Sequence, residues 1–263
     1  MEASKSQKIL HMFTLLSMAS LFFCGCSVSP THNTTPTVLR DLAYTGKEEE
    51  SQYTLLIKEN ESFAPYWVLA DQYNGSSDCL LVRKYVLDEA HAFNKNTNFS
   101  SYYANSEIDQ YLNGEFRMML PESLQEIISP SEIAITCKYS LGCCGKETET
   151  ITRDIFLLSV VEAGGLSSTT VLREGTELAF FQDTANRIAL MADGTASSWW
   201  LRTPNTWYDN VTCGVDKNGA IGIGGTGGIE GESYKSGVRP AFCLNRETEI
   251  VSKGGAYYLD GRA

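Results

Sequence analysis

The adjacent tryptophans at Trp199-Trp200 restrict the fold of this chain more than any other feature. Neighbouring side chains on a strand point to opposite faces, so one indole enters a core and the other forms a platform. The pair opens the run Trp199-Trp200-Leu201-Arg202-Thr203-Pro204, which is answered downstream by Gly237-Val238-Arg239-Pro240-Ala241-Phe242. Arg202 and Arg239 can stack on such rings or pair with buried carboxylates. Two readings stay open. One is a ligand site at Trp200, Arg202 and Arg239, extended by Trp207, Tyr208 and Tyr234 in the flanking loops. The other is aromatic–arginine stacking that holds core strands together.

A core of that kind is affordable here: the chain is 43% hydrophobic and 11% aromatic, which describes a globular domain. The net charge of −11 excludes nucleic acid as a partner, because binding phosphates needs a basic footprint. It equally excludes electrostatic adhesion to anionic lipid.

Along the chain, Tyr66–Ala70 and Cys79–Val82 read as a hairpin turned at Asn74-Gly75. From Ser106, an expected N-cap, Ile108, Tyr111, Leu112, Phe116 and Met119 form an apolar stripe at helical spacing. Pro121 can open a second short helix. Ile133 and Ile135 alternate with polar neighbours, and Arg153–Ser159 reads as a buried strand leading into a helical turn at Val160–Ala163. Asp216-Lys217-Asn218-Gly219 is a hairpin turn between Val211–Val215 and Ala220–Ile223, and Val238–Leu244 is a further strand. Strands early and late with helices grouped between them predict an α+β domain of short antiparallel strands and two to three helices, with a loop-rich C-terminal half.

The N-terminus carries a different signal. Lys5 and Lys8 precede an apolar run from Ile9 to Phe23, too short and broken for the roughly 20 apolar residues of a membrane span. Phe23-Cys24-Gly25-Cys26 resembles the lipobox of bacterial lipoproteins. The resemblance implies a signal peptide over 1–25, lipidation of Cys26, export, and a membrane anchor through acyl chains. Residues 26–50, polar and punctuated by proline, are expected to be a flexible tether. Residues 51–263 remain for a single domain.

Six cysteines then lie in the domain, and an exported chain permits three disulfides among 15 pairings. Cys137, Cys143 and Cys144 are close enough in sequence for a local bridge; inert thiols are the alternative, and a metal site lacks the usual paired or histidine ligands. Gly222–Gly227 spells the dinucleotide fingerprint but continues a hairpin with no helix after it, so no cofactor is expected. His91, in Asp88-Glu89-Ala90-His91, is read as an exposed turn, and no residues assemble a catalytic constellation.

The Trp199–Pro204 and Gly237–Phe242 pair resembles the signature of a bacterial domain family of unknown function common in surface and secreted proteins. The resemblance also takes in Trp67–Leu69 with Leu80-Leu81, Ile108–Phe116, Asp154–Ser159, Val211–Gly219 and Tyr257–Leu259. It implies a C-type-lectin-like fold, distantly similar to the formylglycine-generating enzyme, with a loop-borne binding surface. That enzyme's copper-binding cysteine motif has no counterpart here, so copper is not expected; Trp207-Tyr208-Asp209-Asn210 is only a loose echo of a lectin calcium triplet, which leaves calcium possible but unsupported. Three functions compete: a membrane-anchored lipoprotein displaying a glycan- or protein-binding domain, a thiol-dependent enzyme, or a structural envelope lipoprotein.

Overall fold

The computed structural model describes residues 35–46, 54–94, 98–222, 229–230 and 235–260. The strands, in chain order, are β1 (Thr54–Glu59), β2 (Ser62–Ala70), β3 (Asp78–Arg83), β4 (Ile128–Ser129), β5 (Ser131–Thr136), β6 (Thr148–Arg153) and β7 (Ile155–Phe156). They continue with β8 (Trp199–Pro204), β9 (Val211–Val215), β10 (Ala241–Asn245), β11 (Ile250–Lys253) and β12 (Ala256–Leu259), besides shorter two-residue pieces.

The main sheet runs β11-β12-β1-β2-β3-β10-β4, with β7 also paired to β10. All its pairs are antiparallel except β1 with β12. Alternation marks β1, between β12 and β2: Leu55 and Ile57 are buried while Leu56 and Lys58 are half-exposed. The expected hairpin forms between β2 and β3, with a bulge between Val68 and Ala70. Asn74 (φ 50°) and Gly75 (φ 77°) both take left-handed backbone at its turn. A second sheet joins β8 to β9, and every residue of both strands is buried.

The two halves of the tryptophan–arginine signature touch directly. The Trp200 amide donates to the Gly237 carbonyl at 3.0 Å, and the Gly237 amide donates to the Ser198 carbonyl at 3.0 Å. A Cβ on Gly237 would lie 2.6 Å from that Ser198 oxygen, so glycine is required there for the close approach.

The α+β expectation is overturned. The fold is mostly β, 36% strand and 17% helix, with a curled half-barrel sheet and one helix of seven or more residues. The apolar stripe does form that helix: α1 (Glu107–Tyr111) runs through a π-helical turn, Leu112–Phe116, into α2 (Arg117–Met119). Ser106 caps it, its hydroxyl accepting from the Asp109 amide at 3.3 Å. The segment after Pro121 reaches only four residues, α3 (Glu122–Gln125), and Val160–Ala163 stays a turn. The extra strands come from β1, β11 and β12, where short apolar stretches gave no distinct sequence signal. With the fold class corrected, the lectin-like expectation has no structural support.

Part of the stretch expected to be a tether belongs to the folded unit. Leu39–Leu42 forms a 3-10 turn whose Leu39 and Leu42 are fully buried. The Leu39 amide donates to the Thr248 carbonyl at 2.8 Å, and the Tyr44 amide donates to the Val68 carbonyl at 2.9 Å. The remaining tether residues, the signal peptide and Cys26 lie largely outside the described residues, where residues 1–34 and 47–53 fall. No helix among the described residues is long and apolar enough to cross a membrane.

Candidate functional site

Trp200, Arg202 and Arg239 are fully buried, so they hold the fold and do not meet a surface ligand. Trp200 is fastened by its indole N–H, which donates to the His91 carbonyl at 2.7 Å. Arg202 donates from Nη1 and Nη2 to the Glu162 carboxylate at 2.6 and 2.9 Å, from Nη1 also to the Leu157 carbonyl, and from Nε to the Ala134 carbonyl. Glu162 also accepts from the Tyr73 hydroxyl at 2.7 Å and the Ser159 amide at 2.9 Å. Glu174 lies 3.7 Å from Arg202 Nε and accepts from the Thr136 amide and the Thr136 and Thr203 hydroxyls, each at 2.7 Å. Burial pushes the Glu174 carboxyl up, opposed by Arg202 and those donors. A Cβ on Gly175 would lie 2.3 Å from Glu162 Oε1, so the loop after Glu174 closes over the network only with glycine. Every charge here is answered from inside the protein.

Arg239 is held differently. Its guanidinium lies 4.7 Å from the Trp199 ring centre, 5.0 Å from Trp67 and 5.5 Å from Phe181. Nε donates to the Arg83 carbonyl at 3.1 Å, while Nη1 and Nη2 have no hydrogen-bond partner. Ring faces therefore supply most of its stabilisation, and burial together with Arg83 pushes its pKa down to about 9.

The signature strand ends at Pro204, and the chain emerges at Asn205–Asp209 into a surface of a different character. The Trp207 amide donates to Asn205 Oδ1 at 2.9 Å and the Tyr208 amide to the Asn205 carbonyl at 3.1 Å, an Asx-turn that aims both rings outward. Asn205 and Thr206 are buried, whereas Trp207 is 62% and Tyr208 43% exposed.

Two more loops brace this turn. In the loop holding residues 98–103, the Ser101 amide and hydroxyl both donate to the Asp209 carbonyl, at 3.2 and 2.9 Å. In the loop between β5 and β6, the Cys144 amide donates to the Thr206 carbonyl at 3.0 Å. Lys138 joins these loops, its ammonium 5.4 Å from the Phe99 ring centre and 5.9 Å from Tyr102. Phe99 is 36% and Tyr139 67% exposed. Tyr102 and Tyr139 donate their hydroxyls to Glu149 at 2.9 Å and Glu147 at 2.7 Å. Four exposed rings thus stand on three mutually bonded loops.

Phe99 (φ 53°) and Cys144 (φ 55°) hold left-handed backbone on this face. For a bulky residue such as Phe99 that costs on the order of 1–3 kcal/mol, and such strain collects at functional sites.

The structure thus keeps Trp207 and Tyr208 as surface residues and adds Phe99 and Tyr139, which nothing in the sequence connects to them because only the fold bonds their loops together. Tyr234 lies outside the described residues. Cys137, Cys143 and Cys144 belong to the same loop; all three are free thiols, the first buried and the other two exposed. The Cys143 thiol donates to the Tyr139 carbonyl at 3.1 Å instead of forming a bridge. Among the described residues no group of three or more His, Cys, Asp or Glu is placed to hold a metal ion.

A mostly β domain, locked by a buried arginine–glutamate network and presenting an aromatic face, is the class that fold and site define. The chain belongs to the family described as a domain of unknown function (DUF6273), whose profile matches residues 76–246. That span holds both halves of the signature and all three loops, but leaves β1, β2, β11 and β12 outside. No curated protein and no solved structure matches the chain.

Proposed function

We propose that the protein is an exported lipoprotein, anchored through Cys26, that displays a glycan-binding domain whose contact surface is Phe99, Tyr139, Trp207 and Tyr208. The observation that carries the reading is the placement of these rings. Large aromatic side chains left on a surface cost free energy in water, and grouping them on braced loops preorganises a contact. Sugars offer C–H faces that lie on such rings and hydroxyls that can bond to the Glu147 and Glu149 carboxylates beside Tyr139 and Tyr102. The lipobox resemblance supplies the location, and the net charge of −11 argues against nucleic acid as the alternative ligand.

Glycan arrays probed with the full chain test the ligand class. Trp207→Ala is expected to abolish array binding while shifting stability by no more than about 0.5 kcal/mol, as for other surface changes. Retained binding in Trp207→Ala and Tyr208→Ala would remove the face from consideration. Labelled fatty acid fed to the native host tests the anchor: a Cys26→Ser chain that still took up label would exclude lipidation at that residue.

A further inference from the structure

One end of the main sheet turns a second apolar surface outward. Val251 on β11 lies opposite Tyr258 on β12, Tyr258 pairs with Leu56 on β1, and Leu56 with Pro65 on β2. Register partners share a face, so these side chains form one row across four strands. Phe63 extends the row, its ring edge-on to Tyr258 with centres 5.4 Å apart. The neighbouring residues Ile250, Leu259, Leu55, Ala64 and Tyr66 face the other way and are buried. Val251 is 39% and Phe63 45% exposed, and Leu56, Pro65 and Tyr258 are half-buried. Single exposed apolar residues are ordinary, but a continuous row is a contact surface. We propose that this row rests on the surface of the lipid bilayer to which Cys26 ties the chain, an inference that takes its anchor from the lipobox reading above.

Three observations choose the bilayer as the partner. The first is where the anchored chain joins the fold. The Ile250 amide donates to the Thr37 carbonyl at 3.0 Å, and Val38 forms an antiparallel bridge with Glu249. The chain coming from Cys26 therefore enters along β11, at the residues that adjoin Val251. About eleven residues separate Cys26 from Thr37, a reach of at most about 40 Å. So short a link holds the adjoining face at high effective concentration against the bilayer.

The second is the rim. Lys58, Glu249 and Asp260 stand at one end of the row, with Glu61 in the turn beyond, and Lys253 stands at the other. A zwitterionic headgroup answers both signs, phosphate for the lysines and ammonium for the acids. Lysine stems lie along apolar surface while their ammonium groups reach the headgroups, and the Tyr258 ring and hydroxyl suit the same boundary. Attachment then comes from apolar burial, in keeping with a net charge of −11 that excludes electrostatic adhesion.

The third is the place of the row in the chain. Leu56, Phe63, Pro65, Val251 and Tyr258 all lie outside the family span of residues 76–246. The row is built from the flanking strands, the part of the chain that also leads to the anchor, and not from the family's own domain.

An artificial tether separates the face from the natural anchor. Residues 36–263 form one compact unit, so the chain from Cys26 to Ala263 keeps the whole fold. With Cys143→Ser and Cys144→Ser the other domain thiols are buried, and Cys26 is coupled to a maleimide phosphatidylethanolamine in phosphatidylcholine vesicles. Phosphatidylcholine carrying a diazirine in its acyl chain is then photolysed, and carbene adducts are mapped by mass spectrometry. Adducts are expected to concentrate on Phe63, Val251 and Tyr258. Acetylation of Lys58 and Lys253 should slow about tenfold against Lys217 in its exposed turn, as for a face docked most of the time. The Phe63→Ser, Val251→Ser variant, with unchanged circular dichroism, should restore both rates and scatter the adducts. Adding phosphatidylglycerol should change neither reading. Adducts spread evenly over the domain or centred on Tyr139 and Trp207, or protection that needs phosphatidylglycerol, overturns the proposal. Protection that grows with the concentration of untethered chain, without adducts, makes a second copy the partner and overturns it as well. Docking by the tethered chain without fatty-acid label on Cys26 in the host upholds the face and removes the natural anchor; label with scattered adducts removes the face alone.

Discussion

Arg202 sits in a fully buried space with two acidic side chains, Glu162 and Glu174, so one cation answers both acids out of water. Such a network stabilises little compared with a well-packed apolar core, but removing one member strands the others. Arg202→Ala is expected to lower stability by about 3–5 kcal/mol, read as a drop in urea midpoint at constant slope. A variant within 1 kcal/mol of wild type would show that the carboxylates simply take up protons and carry no structural cost. His91 gives a pH signature of its own. Its folded pKa lies below the ordinary value of 6.5, so on acidification the unfolded chain takes its proton before the folded one does. Stability contributed at neutral pH is therefore lost as the pH falls below about 6.5. Thermal melts from pH 7.5 to 5 should show wild type losing stability faster than His91→Gln; parallel curves would contradict the shielded, neutral ring.

At the scale of elements, the signature works as a joint between β8 and the strand-like run before β10. Gly237→Ala places a methyl against the Ser198 carbonyl, a backbone atom with little freedom to yield, and should destabilise by about 1–3 kcal/mol in a denaturant titration. Survival of full stability would mean that the joint flexes. Much of this level could be read from residues alone. The β2–β3 hairpin announced itself through alternation and the Asn74-Gly75 turn, the helix through Ser106 and its apolar stripe, and the Asp216–Gly219 turn through its composition. What could not be read was pairing between distant segments. β1 meets β12 in parallel with almost two hundred residues between them, and no local pattern encodes that partnership. The same limit hid the site. Trp207 and Tyr208 stood out as aromatics in a loop, but Phe99 and Tyr139 join them only through Ser101, Lys138 and Cys144. His91 resembled an exposed turn because nothing local reveals the Trp200 indole bonded to its carbonyl. Trp200, Arg202 and Arg239 looked equally suited to core and surface, since arginine stacking on aromatics serves both.

For the whole molecule, the segment holding Leu39 and Leu42 is part of the core and not a spacer. Leu39→Ala and Leu42→Ala are each expected to cost about 2–5 kcal/mol, measured by chemical denaturation, and a chain starting at Thr54 should melt well below the full one. Wild-type melting in that shortened chain would return the segment to the role of a tether. The same interlock has a temporal side. The C-terminal strand β12 pairs with the N-terminal strand β1, and Val38 bridges Glu249, so the main sheet cannot finish until its last residues have left the ribosome. Contacts this remote in sequence form late and slowly. During synthesis the growing chain therefore lacks the strand that shields its open edge. The final folding step thus falls to the docking of β12 on β1, after synthesis has passed residue 256.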